Sequence, residues 1–94
     1  MKPQVHDLKC WPEFFGPIAR GEKPFEARKD DRGFKAGDVL HLREWSTADG
    51  YSGREAIVVV TYLLAGRPWL ADGYVVMGFD PPRAIRDVSP KDGE

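Results

Sequence analysis

"VLHLREWS" at residues 39–46, "TADGYSG" at 47–53 and "REAIVVVTYLLA" at 54–65 decide the fold. The first piece alternates apolar and polar residues, the pattern of a strand with one buried face. The second carries Asp49-Gly50, a hairpin signal. The third is the most apolar and β-branched run of the chain, which predicts a central strand. Two long strands joined by a tight turn make this a sheet protein.

Working outward, the same alternation recurs. In "KPFEARKD" (23–30), Phe25 and Ala27 face one way and Glu26 and Arg28 the other. In "VHDLKCW" (5–11), Leu8 and Cys10 point inward. "YVVMGFD" (74–80) gives a fifth strand. Between the first two strands, "PEFFGPIARGE" (12–22) opens with Pro12 and Glu13, both suited to a first helical turn. Phe14 and Ile18, like Phe15 and Ala19, are spaced for one buried helical face. Pro17 lacks a backbone N–H, so the helix is short, and Gly21 is its stop. The turn "DRGFKAGD" tucks Phe34 under two glycines. The segment 81–94 has three prolines and few apolar residues, and is expected to be a loosely ordered tail. The fold class is therefore mainly β with α (α+β). A small sheet of this many strands hides its edges by curling, so we expect a five- to six-stranded β-barrel, or near-barrel, with the early helix capping one end.

Composition sets the outer limits. A chain of 94 residues is one domain, taken here as residues 1–80, and buries one modest core. No apolar run is long enough to span a membrane, and the start "MKPQVHDLKCW" has no apolar signal core. The single Cys10 forms no internal disulfide and supplies no zinc ligand set. His6 and His41 have no ligand partner at helical or hairpin spacing, so neither metal nor cofactor is expected. The expected setting is cytoplasmic and the expected state monomeric. Net charge is −1, which excludes the strongly basic field of a nonspecific nucleic-acid coat protein. The charge is uneven, however. Seven basic residues from Arg20 to Arg43 stand against five acidic ones, giving that segment +2 and the remainder −3. A local anion site is permitted there.

Within that segment, "GEKPFEAR" followed by "FKAGDVLHLREW" resembles the ASCH domain family of the PUA-like superfamily. The shared pattern is a Gly-x-Lys segment (Gly21, Glu22, Lys23), an alternating strand ending in Arg28, and Gly37-Asp38 before the next strand. "HDLKCWPEFF" and "GYVVMGFD" are similar to a subgroup of small phage and bacterial members of this family, so the resemblance spans about residues 5 to 80. It implies a barrel with a cleft beside the helix, lined by the Gly-x-Lys segment. It also implies RNA or a nucleoside as ligand. Relatives bind RNA, cleave RNA or hydrolyse a modified cytidine. In the deacetylating relatives a threonine three residues after the lysine is the nucleophile; that place here is Glu26, and a carboxylate does not replace an activated hydroxyl.

Several side chains in and around this segment suit a site. Lys23 can hold a phosphate or act as a base. Glu26 and Arg28 share a strand face, where a guanidinium donates and a carboxylate accepts, as in reading a base edge or ribose; the alternative is a surface ion pair. Lys29 and Arg32, with Lys35, form a solvated rim that can touch phosphates. At least two of Trp11, Trp45 and Trp69 are expected in the core, since tryptophan is costly to expose. Trp11, beside the helix start, is favoured for a cleft wall where bases stack. The favoured function is a nucleic-acid-binding module that grips single-stranded or structured RNA. The alternative is a small hydrolase with Lys23 as base and Glu26 as acid or water-orienting group. Strand alternation puts Lys23 and Glu26 on opposite faces unless the chain bends at Pro24. A third reading is a phage or mobile-element accessory protein with a protein partner.

Overall fold

The computed structural model describes residues 2–87. Its elements are β1 (Val5–Cys10), α1 (Pro12–Ala19), β2 (Phe25–Lys29), β3 (Val39–Ser46), β4 (Gly50–Ala65), β5 (Tyr74–Phe79) and β6 (Ala84–Arg86). The strands follow the order β1-β3-β4-β5-β2, with β6 pairing β4 off this path. β1 runs parallel to β3, and the other pairs are antiparallel.

The predicted hairpin joins β3 to β4, with Ser46 opposite Gly50. Gly50 takes a φ of 69°, a left-handed conformation that suits glycine, and the Ser46 hydroxyl accepts the Asp49 N–H at 3.0 Å. β4 then does two jobs. Residues from Gly50 to Val59 pair β3, and from Val60 to Ala65 they pair β5. The register shifts between Val60 and Tyr62, where the irregularity re-aims the strand from one half of the sheet to the other.

Alternation predicts the buried faces of β1 and β3 well. Leu8 and Cys10 of β1 and Leu40 and Leu42 of β3 join Ala56, Val58 and Val60 of β4 and Val75, Met77 and Phe79 of β5 in one core. Phe34 reaches it from the turn, as expected. α1 seats Phe15 and Ile18 against this core and packs on β3. Phe14, expected to share that face, is instead about 41% exposed. The helix is two turns long, so Pro17 removes only one hydrogen bond, and the Pro17 carbonyl accepts the N–H groups of Glu22 and Lys23 at 2.8 and 3.2 Å. Gly21 closes the helix at a φ of 78°. The end of α1 therefore fixes where Lys23 leaves the backbone.

Two features differ from expectation. The sheet does not close into a barrel. Among the described residues β1 and β2, the two ends of the strand path, form no ladder. A ladder would hold them about 4.8 Å apart, and the inward side chains of β2 are the charged Glu26 and Arg28, which need more room. The Arg28 Nη2 instead donates across the gap to the Lys9 carbonyl at 3.0 Å, and Arg32 Nη1 to the Asp7 carbonyl at 3.0 Å. The second difference is β6, which lies in the expected loose tail. It pairs Ala84–Arg86 with Ile57–Glu55, and Arg83 N–H bonds the Ile57 carbonyl at 2.8 Å. Residues 88–94 of that tail lie outside the described residues.

Candidate functional site

The open seam between β1 and β2 is the floor of a cleft. A cavity of about 480 Å³ there is lined by Lys9, Cys10, Trp11, Phe14, Lys23, Phe25, Glu26, Ala27 and Arg28. β1 ends at Cys10 and α1 starts at Pro12, so Trp11 stands on one wall. Phe14 is on the helix face that the core leaves out. Phe25 opens β2 and lies on its outward side, about 41% exposed.

Lys23, Glu26 and Arg28 all converge here. The chain turns at Arg20–Glu22 and β2 begins only at Phe25, so strand alternation does not separate Lys23 from Glu26: Lys23 Nζ lies 3.7 Å from Glu26 Oε1. Arg28 Nε is 3.3 Å from Glu26 Oε2. The lysine is also held by aromatics, with its ammonium 5.0 Å from the Phe14 ring centre and 4.6 Å from that of Phe25. It donates to the Phe25 carbonyl at 3.0 Å. Arg28 Nε is covered and has no hydrogen-bond partner, despite its proximity to Glu26. Natural structures seldom leave such a group unsatisfied.

Glu26 is only 6% exposed. Burial pushes its carboxyl above the usual range, and the neighbouring Arg28 and Lys23 charges pull it back only in part. Below it lies Cys10. Burial, and secondarily the Glu26 charge, push that thiol up to about 12, against the pull of Lys23 and Arg28. The Cys10 sulfur is a neutral, inert part of the floor at neutral pH.

Arg32 lies one cavity further along the seam, with Asp7, Lys9, Arg28, Arg43 and Tyr51. Lys29 is not brought into the cleft. It is the last residue of β2, beyond Arg28 where the lining of the cleft ends, and is exposed. The tryptophans correct the expectation of a tryptophan core. Trp11 is 46% and Trp69 76% exposed, and Trp45 is half-buried. Trp11 and Trp45 meet edge to face at 5.5 Å instead of entering the core. The apolar volume is filled by aliphatics and phenylalanines, which leaves Trp11 on the seam, Trp45 against it and Trp69 in the β4–β5 connection.

Gly37-Asp38 has a structural task. The Asp38 side chain accepts the Gln4 and Lys35 N–H groups, each at 3.0 Å, and the His6 Nε2–H at 2.9 Å. It ties β1 to the turn before β3. His6, in turn, packs edge to face on Phe34 at 4.7 Å. His41 bridges Asp7 and Glu55 at 2.6 Å each on the outer face of the sheet. No group of three His, Cys, Asp or Glu among the described residues has metal-holding geometry, and no helix among them is long and apolar enough to cross a membrane.

Fold and site together define a small α+β domain with a cationic, aromatic-walled cleft at the open edge of a bent sheet. The family model described as "Domain of unknown function (DUF3850)" matches residues 5–79, from the first residue of β1 to the last of β5. The chain belongs to that family. It is also 32% identical over 77 residues to the "Uncharacterized 12.9 kDa protein in GpA 3'region" of Escherichia phage P2, covering 82% of this chain and 69% of that protein. The matched family span contains the whole cleft and excludes β6.

Proposed function

We propose that this protein binds RNA in the seam cleft, gripping it through Lys23 and Arg28 beside Trp11, Phe14 and Phe25. The observation that carries the reading is the convergence of Lys23 and Arg28 on the buried Glu26, in a cavity that Lys9 also lines and three aromatic rings wall. Stacking on aromatics and charge contact with phosphate are the two interactions that hold single-stranded nucleic acid. The buried Glu26 adds an acceptor that a nucleobase amino group or a ribose hydroxyl can satisfy. Kinship with the PUA-like superfamily is part of the proposal. It is supported by Lys23 and Arg28 lining one cleft and by a bent sheet whose remaining gap is where a barrel would close. The test is fluorescence anisotropy of labelled single-stranded RNA against salt. Affinity should fall steeply as salt rises, and Lys23→Ala and Arg28→Ala should each weaken it while far-UV circular dichroism stays unchanged.

A second reading, hydrolysis of RNA or an acylated cytidine, is favoured by one observation. Lys23 and Glu26 meet at 3.7 Å, and burial raises the Glu26 carboxyl toward the range of a general acid. Under that reading the wild type releases product and Lys23→Ala does not. The place of the relatives' threonine nucleophile is Glu26 here, and a carboxylate does not replace an activated hydroxyl. Binding therefore stands first.

A further inference from the structure

The aromatic cavity is one end of a longer feature. Arg28 also lines a second cavity of about 430 Å³ with Lys9, Arg32, Arg43, Tyr51 and Asp7. Arg32 in turn lines a third, of about 450 Å³, with Lys2, Gln4 and Lys35. Arg28 and Arg32 are thus shared walls that join three depressions into one track. The track follows β1, from Trp11 at one end to Pro3 and Gln4 at the other.

The middle of the track is strongly cationic. Lys9, Arg28, Arg32 and Arg43 line it with one carboxylate, Asp7, while Arg28 also pairs with Glu26 at 3.3 Å and Arg32 with Asp31 at 3.8 Å from outside the lining. Asp7 is engaged by His41 Nδ1 at 2.6 Å. Lys9 and Arg43 are direct partners in the parallel β1–β3 register, so two like charges stand side by side on one face. Such a pair is locally unfavourable. Glu55 offsets it weakly, since its Oε2 is 3.8 Å from Arg43 Nε. Both cations rest on aromatic faces, Lys9 4.2 Å from the Trp45 ring centre and Arg43 4.1 Å from that of Tyr51. Rings beneath the cations hold them in place and offer stacking surface beside them.

We infer that the ligand is a phosphodiester strand of about four nucleotides lying along β1, with a base in the Trp11–Phe14–Phe25 cavity and its phosphates over Arg28, Arg32 and Arg43, rather than a free nucleoside. The inference rests on the RNA-binding reading and specifies its ligand. From Pro3 to Trp11 the track is roughly 26 Å long at ~3.3 Å per residue. A strand unstacked to roughly twice the 3.4 Å phosphate spacing of a duplex fits about four nucleotides into that length, the low end for single-strand sites. A nucleoside would occupy the aromatic end alone and leave Lys9, Arg32 and Arg43 without contact to the ligand.

The experiment is anisotropy with fluorescein-labelled oligouridylates of two, four, six and eight nucleotides, with uridine and cytidine as unlabelled competitors. Affinity should climb to about four nucleotides and then level off, because the track ends there. Arg43→Ala should weaken binding of the four-nucleotide probe about tenfold and lower the salt slope by about 1, since the variant neutralises one phosphate fewer. Lys9→Ala, on the other strand, should act in the same direction. Circular dichroism verifies that both variants are folded. The inference is overturned if the dinucleotide binds as tightly as the octanucleotide, if the nucleosides compete as well as the tetranucleotide, or if neither variant changes the salt slope. In those cases binding through Lys23 persists and the RNA-binding reading stands. Absence of binding by every probe at low salt overturns that reading and the track together.

Discussion

Replacing Asp38 by alanine should cost this domain a large share of its stability without touching the Lys23–Arg28 cavity. The carboxylate is 3% exposed and accepts three hydrogen bonds, from Gln4 N–H, Lys35 N–H and His6 Nε2–H. Alanine leaves all three donors without their acceptor. Each orphaned donor costs about 1–3 kcal/mol when water cannot reach it. Gln4 and Lys35 border an open cavity, so water can replace part of their loss, whereas His6 is buried. The expected total is about 3–4 kcal/mol, against roughly 5–15 kcal/mol for a whole domain. Urea unfolding followed by tryptophan fluorescence measures it. Asn at the same position keeps one acceptor and should lose about half as much. The pH dependence supplies a second readout. Burial pushes the Asp38 carboxyl up, but the bonds from Gln4, His6 and Lys35 together outweigh burial and hold it below the ordinary range. A carboxyl lowered in the folded state adds stability above its unfolded value, about pH 3.9, and loses it as pH falls through the lower folded value. Asp38→Ala should therefore show a flatter acid limb below about pH 4. A loss under about 1 kcal/mol, or an unchanged acid limb, would refute the assignment of Asp38 as the tie between β1 and the β3 turn.

Glu26→Gln should leave stability at pH 7 unchanged or raise it by about 1 kcal/mol, because Lys23 and Arg28 keep their own carbonyl acceptors. The sign follows from the raised carboxyl: its stabilising contribution is complete below the unfolded value, about pH 4.3, and is lost as pH rises through the folded value. A destabilisation beyond about 2 kcal/mol at pH 7 would show that the carboxylate is a structural counter-ion instead. A chain ending at Pro82 should stay folded but lose about 1–2 kcal/mol, from the β6 ladder and the 2.8 Å Arg54–Asp87 pair, with chemical denaturation as the measure. An unchanged midpoint would mean that β6 contributes nothing. Cys10 should resist iodoacetamide in the native state at pH 8 and react fully in urea, since its thiol lies 2% exposed and titrates near 12. Rapid native labelling would contradict the buried floor.

Most of the sheet is legible in local pattern, and the cleft is legible only in part. Alternation in β1 and β3 and the Asp49-Gly50 turn are short-range signals, and each suffices to place its element. β6 escapes because three exposed residues among prolines carry no period, and its pairing with β4 is a tertiary event. The open seam is hidden for a related reason. Whether a curled sheet closes depends on what its two end strands present to each other, and that requires knowing that β1 and β2 are those ends. Lys23, Glu26, Arg28 and Trp11 all stand out in the chain, yet Glu26 and Lys23 converge only because β2 starts after Pro24. Lys9 and Arg43 are invisible as a pair, because their adjacency depends on a parallel register between strands separated by a helix and another strand. Phe14 and Phe25 resemble core residues by spacing. They line the cleft because the core is already filled by Phe15, Ile18 and the aliphatics of four strands.

The central claim is that the Lys23–Arg28 cleft holds RNA. Its most direct test is the affinity of a labelled single-stranded RNA for the wild type, Lys23→Ala and Arg28→Ala across a salt series. Measurable binding at low salt is expected, with a linear fall of log affinity with log salt and a weaker, shallower line for each variant with the fold intact. Wild-type binding that neither variant alters, or no binding at low salt, would contradict it.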